Sequence, residues 1–346
     1  MMRRIVSHIS VFVLLLLMVS CQHKELCYHH AHTARVNMDV DWSLFNEEVP
    51  TGMSVYVYPT HDADPVEHLT NNISLASMDL KAAEYNALVF NQSTTEFGTL
   101  GFRGMESYQT AQVYTTATKS NWYETKAEEE KLASEPEWIA TATEESLLVT
   151  EEMVNQTAEY YKNGGRSRSV PEYHIASFQP RNIIYTINVR VNIDGVYNLR
   201  SARASLNGLA EGYVFSERRT NDTRVTQLIE NWSMEIDKND PTKGSIIAKI
   251  TCFGLPHDHQ ARPEENELSL SLLLVDNQTI LTFPFLVGDK FVDKSVESDV
   301  HLTLALDLEF DLGTRLPDVL PEDGSEGGFK VDVDEWGDEK EIEIII

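Results

Sequence analysis

The stretch RNIIYTINVRVNIDGVYNLRSARASLNGLAEGYVF, residues 181–215, decides the fold. From Ile183 to Ile193 an apolar residue recurs at every second position. This is the period of a β-strand that has one face buried and the other face in water. Asp194-Gly195 then interrupts the pattern, so the stretch begins with a long, half-buried strand that ends near residue 194.

A second, shorter alternation follows in the same stretch. Ala202, Ala204 and Leu206 alternate with polar residues, Asn207-Gly208 predicts a turn, and the apolar pattern resumes after it. The stretch contains no Gly-rich loop that leads from a strand into a helix, and no nucleophile on a sharp strand-to-helix turn. It therefore predicts successive β-strands without a catalytic signature.

Composition and charge narrow the class of protein. The chain has 346 residues, of which 42% are hydrophobic, and this predicts about two globular domains that each bury a core. The formal net charge is -27. Because an acidic surface repels phosphate backbones and anionic lipid headgroups, the sequence argues against nucleic-acid binding.

Residues 1–20 have the features of a bacterial lipoprotein signal peptide. Arg3-Arg4 form a positive n-region, and the apolar run at residues 11–19 is too short to span a membrane. The run leads into LMVSC, residues 17–21, which looks like a lipobox. We therefore predict that Cys21 is lipidated and becomes the mature N-terminus, where two or three acyl chains suffice for stable anchoring. A plain secretory signal with an incidental cysteine is the alternative.

The residues around the cysteines refine this prediction. No Asp stands directly after Cys21, so retention in the inner membrane is not signalled. We expect a lipid-anchored protein at the outer membrane, exposed on the cell surface. Cys27 lies close to the anchor and Cys252 lies in a strand pattern. A disulfide between them cannot be argued from the sequence, and Cys252 is expected to be a small apolar core residue.

The chain divides by composition. Short alternating runs with polar and Gly-containing connections favour a β-sandwich order in both halves. The segment at residues 160–170, YYKNGGRSRSV, is rich in Gly, Ser and Arg, and Arg166 and Arg168 make it the expected site of proteolytic nicking. The predicted parts are a signal peptide (1–20), a tether (21–32), an N-terminal sandwich (33–160), a linker (161–170), a C-terminal sandwich (171–316), and a spacer with C-terminal strands (317–346).

An acidic segment interrupts the strands of the first half. Residues 124–159 are acidic and permit helix, with Pro136 dividing them. Glu128–Glu130 are expected to form a solvated helical turn or loop, because a catalytic role would need a partner base or metal that the sequence does not place.

Metal signals are weak, and we predict neither a metal nor a cofactor. His29, His30 and His32 lie in the tether without a pattern of supporting carboxylates. His257 and His259 flank Asp258 in a polar loop that follows a proline. The calcium-loop spacing near the C-terminus fails at its fifth position, where Trp336 offers no oxygen, although four positions match: Asp332, Asp334, Gly337 and Glu343. A hairpin turn is the expectation there.

Several segments resemble a known family. They are the lipobox at Cys21, NIIYTINVRV (182–191), LNGLAEGYVF (206–215), SLLLVDNQTILTFPFLVGD (271–289) and FKVDVDEWGDEKEIEIII (329–346). With these segments the mature chain resembles the fimbrillin-like surface lipoproteins of the Bacteroidales, in particular a family related to fimbrial anchor and accessory subunits. The resemblance implies an all-β fold of two tandem transthyretin-like, Greek-key β-sandwiches, and a role in adhesion and fimbria assembly without catalysis.

The resemblance also implies that other fimbrial or surface subunits are partners, joined by donation of a terminal strand. Ile342, Ile344 and Ile346 would supply the apolar face of such a strand, and the spacer before them would supply the reach. Pairing of the same segment within its own domain is the equally weighted alternative.

One residue indicates which type of subunit this is. In polymerising subunits of the family an arginine-specific protease removes the first strand, but between Cys21 and Arg103 the sequence has Arg35 as its only arginine, inside the first predicted strand. Cleavage there would release the lipid without removing a whole strand. We therefore predict that the chain keeps its anchor and acts as an anchor-like accessory subunit.

A surface glycan-binding lipoprotein is the competing hypothesis. Trp122, Tyr123, Trp138 and Trp232 could stack on sugars, although large aromatic residues lie more often in cores or interfaces. A hydrolase is disfavoured, because no triad or carboxylate pair can be located.

Overall fold

The computed structural model describes residues 32–45, 49–61, 64–162, 170–298, 301–321 and 341–343. Within them the regular secondary structure is almost entirely β-strand. The strands are β1 (Ala34–Val40), β2 (Met53–Pro59), β3 (Val66–Thr70), β4 (Leu75–Leu80), β5 (Ala83–Asn91), β6 (Leu100–Arg103), β7 (Gln112–Thr115), β8 (Ala140–Val149), β9 (Glu172–Phe178), β10 (Arg181–Asn182), β11 (Tyr185–Asp194), β12 (Leu199–Ala210), β13 (Gly212–Val214), β14 (Arg219–Thr220), β15 (Arg224–Ile229), β16 (Trp232–Ile236), β17 (Lys243–Cys252), β18 (Glu267–Leu274), β19 (Ile280–Leu286), β20 (Phe291–Asp293), β21 (Val296–Ser298), β22 (His301–Thr303), β23 (Ala305–Arg315) and β24 (Glu341–Glu343).

The chain folds into two compact units. Of the described residues, the first contains 32–36, 79–82, 149–162 and 170–173, and its helix α1 spans Glu151–Lys162. The helix begins after Thr150, whose hydroxyl accepts a hydrogen bond from the Met153 amide at 3.2 Å. This is a side-chain cap of the free N–H groups at a helix start. No helix in the described part of the chain has the length and apolarity needed to span a membrane.

The second unit contains residues 37–78, 83–148 and 174–346. One five-stranded sheet in it has the order β16-β17-β11-β23-β20, and another has the order β15-β12-β18-β19-β24. Buried residues of both sheets form a single hydrophobic cluster, which includes Val189, Leu206, Ile246, Leu270 and Leu308. The two sheets therefore pack face to face, and the all-β prediction is confirmed.

The alternation in β11 is confirmed position by position. Ile187, Val189, Val191 and Ile193 are at most 2% exposed, while the residues between them are half-buried. β11 lies between β17, which is antiparallel to it, and β23, which is parallel to it. Burial of alternate β-branched side chains on one face therefore places β11 at the centre of its sheet.

The turn predicted at Asn207-Gly208 is wrong. Both residues lie inside β12, where the pairing with β15 shifts register between Leu206 and Leu209. Gly208 has a φ of +78°, and the left-handed residue forms a β-bulge instead of a hairpin turn. The Asn207 side chain accepts a hydrogen bond from the Glu267 amide at 2.7 Å, which ties the bulge to β18.

Two more sheets involve residues from both halves of the sequence. One has the order β10-β8-β5-β2-β3 and the other has the order β14-β13-β7-β6. The hydrophobic cluster around them includes Phe90 and Phe215, whose rings stack with centroids 6.0 Å apart. This core therefore draws on residues before and after 161–170. The boundaries 33–160 and 171–316 stay a prediction.

The acidic segment at residues 124–159 forms helix only in its second half. Residues 124–138 contain turns and two isolated bridge residues but no helix, and Glu128–Glu129 form a turn. Contacts with β15 override the helical propensity of Glu, Lys and Ala there.

Candidate functional site

The C-terminal strand β24 completes the edge of a sheet in its own chain. It pairs parallel to β19, with Glu341 opposite Ile280, Ile342 opposite Leu281 and Glu343 opposite Thr282. Of the two arrangements that the sequence left open, the structure shows the one in which the segment folds back. Ile344 and Ile346 lie outside the described residues.

The pairing at this edge is described for three residues of β24. β19 pairs with β18 along its full length from Ile280 to Leu286, but with β24 over three residues. Parallel pairs are also slightly less stable per residue than antiparallel ones. A parallel strand at an edge is therefore an element that another strand could displace.

Arg35 lies in β1, the middle strand of the sheet β4-β1-β9. Its Nε donates to Oδ1 of Asp79 at 3.1 Å and its Nη2 donates to Oδ2 at 3.3 Å. The two side chains are 41% and 54% exposed. The peptide bond after Arg35 thus lies in a paired strand, where a protease gains access only through local unfolding.

Glu211 joins strands that lie far apart in the sequence. Its carboxylate accepts hydrogen bonds from Nη2 of Arg103 at 2.7 Å and Nζ of Lys131 at 3.0 Å. Burial raises the pKa of Glu211, but these two cations lower it more, so the pKa lies below its ordinary value. Sequence reasoning missed this site, although an acidic residue between Ala210 and Gly212 in an apolar run was a signal for it.

A segment that precedes the predicted linker also pairs with β15. Leu132 and Thr226 form a parallel bridge, the Ala133 amide donates to the Thr226 carbonyl at 2.9 Å, and the Thr226 amide donates to the Lys131 carbonyl at 2.9 Å. The Thr226 hydroxyl also donates to Glu130 at 2.6 Å. Glu130 is therefore a partly buried structural acceptor and not the solvated residue that the sequence predicted.

The four aromatic residues proposed for glycan stacking do not form one platform. Trp232 is 2% exposed and donates to the Ile229 carbonyl inside the core. Trp122 donates to Glu230 at 2.5 Å, and the Tyr123 hydroxyl donates to Glu130 at 2.6 Å. Trp138 packs edge-on against Phe45, with ring centroids 5.1 Å apart. These side chains are engaged in structural contacts.

Two of the residues weighed as weak metal candidates have structural partners. Asp258 pairs with Arg224 at 2.9 Å, and His259 contacts the Asn266 side chain at 2.9 Å. Among the residues that the structure describes, no group of His, Cys, Asp and Glu is arranged to hold a metal ion. Cys252 is free and buried in the core, as predicted. The candidates outside the described residues are Cys21, Cys27, His29, His30, Asp332, Asp334, Trp336 and Gly337.

Comparison with known proteins identifies a matching family and a similar protein. A family described as "Domain of unknown function (DUF5119)" matches residues 20–230. The protein named "Putative fimbrium anchoring subunit Fim4B" of Bacteroides ovatus is 20% identical over 338 residues, which are 95% of this chain and 95% of that protein.

One solved structure shows the same fold, and a second is reported for comparison. The crystal structure of a "putative adhesin" from Bacteroides ovatus has a TM-score of 0.50 and 17% identity, and the match covers 73% of this chain and 82% of that chain. The fimbrial anchor protein Mfa2 from Porphyromonas gingivalis has a TM-score of 0.45 and 12% identity, with 81% of this chain and 90% of that chain covered.

Proposed function

The chain belongs to the family of the domain of unknown function DUF5119, and from this premise we propose that it is a non-catalytic, fimbrillin-like subunit at the cell surface that anchors or accompanies a fimbrium. The observation that carries the proposal is the likeness to the fimbrium anchoring subunit over 95% of both chains. Because the match spans nearly the whole of each protein, it supports a shared role for the whole chain and not only one shared module.

Membrane attachment is the first part of the proposal. Acyl chains on Cys21 hold the mature protein in the outer membrane, and the chain keeps them because Arg35 lies in a paired strand and is bound by Asp79. Nucleic acid is not a partner, because the net charge of -27 repels it.

Mass spectrometry of the mature N-terminus tests the attachment. A lipid-modified Cys21 is the expected result, and a Cys21→Ser variant is expected to leave the membrane fraction. A mature terminus at Val36 or later, or a Cys21→Ser variant that stays membrane-bound, would overturn this part of the proposal.

Assembly with neighbouring subunits is the second part. Donation of residues 341–346 to another subunit would exchange the parallel pairing of β24 with β19 for a ladder on the neighbour. Parallel pairing is slightly less stable per residue than antiparallel pairing, which favours such an exchange.

Copurification from surface-sheared material tests the assembly. We expect a tagged chain to bring other fimbrial subunits with it, and removal of residues 341–346 to abolish this. Leu69→Lys on the edge strand β3, where Leu69 is 55% exposed, is the matched control and should leave copurification intact. Unchanged recovery after the truncation would refute strand donation, and absence of all fimbrial partners from the wild-type material would refute the fimbrial role.

A further inference from the structure

The chain leaves the described part of the second unit and returns to it at the same corner. Nδ2 of Asn198 donates to Oδ1 of Asp318 at 3.1 Å, and the Asn198 carbonyl accepts a hydrogen bond from the Val275 amide at 2.9 Å. The turn after Val275 leads into β19, whose first residue lies opposite Glu341 of β24. Residues 322–340 therefore join two points of one corner.

The sequence that follows this corner has the pattern of a β-hairpin. Residues 322–346 read EDGSEGGFKVDVDEWGDEKEIEIII. Two runs that alternate apolar and charged residues, 329–336 and 339–346, are separated by Gly337-Asp338. A two-residue loop with Gly at its first position predicts a type II′ turn, whose twist matches that of antiparallel strands.

The turn fixes which residues lie opposite each other across the hairpin. With Gly337-Asp338 as the loop, each apolar residue from 329 to 333 falls opposite an isoleucine: Val333 opposite Ile342, Val331 opposite Ile344, and Phe329 opposite Ile346. Because opposite residues share a face of the sheet, the hairpin has one apolar face. A slip of one residue in the register would break this match.

The described pairing of β24 orients this apolar face toward the core. Ile342 lies opposite Leu281 of β19, and Leu281 is 4% exposed within the hydrophobic cluster of the two packed sheets. Position 342, and with it position 333, therefore falls on the core side of the sheet. Among the described strands β24 is the last of its sheet, so its outer edge is available to the first run of the hairpin.

The length of the connection suits this arrangement. In the register set by the turn, Phe329 lies level with Ile346, which is five residues or about 17 Å along the strand from Glu341. Residues 322–328 span at most about 25 Å. Their glycines make this spacer flexible, and it is long enough to carry the chain from the corner to Phe329.

We propose that residues 329–336 pair antiparallel with residues 339–346 and so cover the outer edge of β24 as the last strand of its sheet. The occupant of this edge is then the chain itself and not a second copy. The inference stands apart from the fimbrial role, although donation of residues 341–346 has to break this pairing as well as the pairing with β19.

The pairing carries a cost on the solvent face of the hairpin. Asp332 lies opposite Glu343, and Asp334 lies opposite Glu341. Like charges directly opposite each other destabilise a pair of strands. The hairpin should therefore respond to a change of charge at one of these positions.

Cross-linking of engineered cysteines in the full chain tests the register. Val331→Cys with Ile344→Cys places two thiols opposite each other on one face. Lys330→Cys with Ile344→Cys places them on opposite faces at almost the same separation in sequence. Because thiols whose Cβ vectors point apart need backbone movement to form a disulfide, the first pair should close about tenfold faster or more.

The background of the experiment keeps other thiols out of the reaction. Both pairs are introduced into a chain with Cys21→Ser and Cys27→Ser, in which the remaining native cysteine is Cys252, buried in the core. Non-reducing electrophoresis separates bonds within a chain from bonds between chains, and peptide mass mapping identifies the sulfurs that are joined. Urea melts of the reduced proteins establish that both variants are folded.

A reversal of charge tests the same pairing without cysteines. Asp332→Lys replaces the like-charge pair with Glu343 by a pair of opposite charge, so residues 339–346 should be protected from deuterium exchange about two- to fivefold more. Glu326→Lys makes the same change of charge in the spacer, outside both runs, and should leave the protection unchanged.

The outcomes decide who covers the edge of β24. Equal closure of the two cysteine pairs would overturn the inference, and so would a disulfide that joins two chains, which would assign the edge to a second copy. Equal protection in Asp332→Lys and Glu326→Lys would overturn it as well. Neither copurification nor lipidation of Cys21 enters these measurements, so their failure leaves the proposed function standing.

Discussion

Nη2 of Arg103 donates to Oε2 of Glu211 at 2.7 Å, and this ion pair connects β6 with the residue between β12 and β13. The Glu211 side chain is 7% exposed, whereas that of Arg103 is 40% exposed. The carboxylate is thus the buried member of the pair. Arg103 and Lys131 donate its hydrogen bonds and balance its charge.

Replacing this carboxylate should destabilise the protein. Glu211→Gln removes the negative charge and replaces one of the two acceptor oxygens by an NH2 donor that faces a cation, and we expect the free energy of unfolding to fall by about 2 kcal/mol. Glu235→Gln removes the exposed partner of Arg190 and should cost at most about 0.5 kcal/mol. Urea unfolding of both variants measures the difference, and equal losses would show that Glu211 contributes no more than a surface charge.

The ion pairs of Glu211 with Arg103 and Lys131 predict that the stability of the protein depends on pH. The pKa of Glu211 in the folded protein lies below the ordinary value of 4.5. The ionised side chain therefore contributes its full stabilisation above pH 4.5, and this stabilisation is lost as the pH falls through the folded pKa. The stability gap between wild type and Glu211→Gln should therefore narrow from neutral pH to about pH 3. Urea unfolding at several pH values tests this, and a gap that stays constant or widens on acidification would contradict it.

The bulge in β12 gives a test of backbone conformation. A Cβ on Gly208 would lie 2.3 Å from the Glu265 carbonyl oxygen, and the φ of +78° is itself unfavourable for alanine. We expect Gly208→Ala to cost about 3 kcal/mol. Gly313 has a φ of +81° but no atom within 4 Å of its Cβ position, so Gly313→Ala should cost only about 1 kcal/mol of backbone strain. Thermal melts compare the two, and equal costs would show that the close contact relaxes.

The regular strands could be predicted because their burial repeats every second residue. In β11 that period continues from Tyr185 to Asp194, and it is enough to indicate both the strand and its buried face. The bulge could not be predicted in the same way. An Asn-Gly pair supplies the left-handed conformation for a hairpin turn and for a bulge alike, and only the pairing of β12 with β15 and β18 decides between them.

The site residues were harder to predict for a different reason. Arg103, Lys131 and Glu211 are separated by long stretches of chain, and only their strand neighbours bring them together. Charged residues at such positions resemble surface residues until the tertiary contacts are known.

The position of Arg35 predicts resistance to arginine-specific proteases. Because Arg35 is in the middle strand of β4-β1-β9 and is bound by Asp79, the folded full chain should be cut at Arg166 or Arg168 before it is cut at Arg35. Limited proteolysis followed by intact mass spectrometry gives the order of cleavage. Asp79→Asn should increase cutting at Arg35 only slightly, since the exposed pair contributes little. Cleavage at Arg35 first would contradict retention of the anchor.

The edge formed by β24 predicts how the chain behaves when its C-terminus is shortened. Removal of residues 341–346 takes away the strand opposite Ile280–Thr282, so amides in that part of β19 should exchange faster with deuterium, while β18 keeps its protection through its pairing with β12 and β19.

An uncovered edge is also a template for another chain, and we expect the truncated protein to self-associate more strongly in analytical ultracentrifugation. Removal of residues 344–346 alone retains β24 and is the matched control. If both truncations exchange and sediment like the full chain, β24 neither protects nor blocks the edge of β19, and donation of this strand would have no effect on the sheet that it leaves.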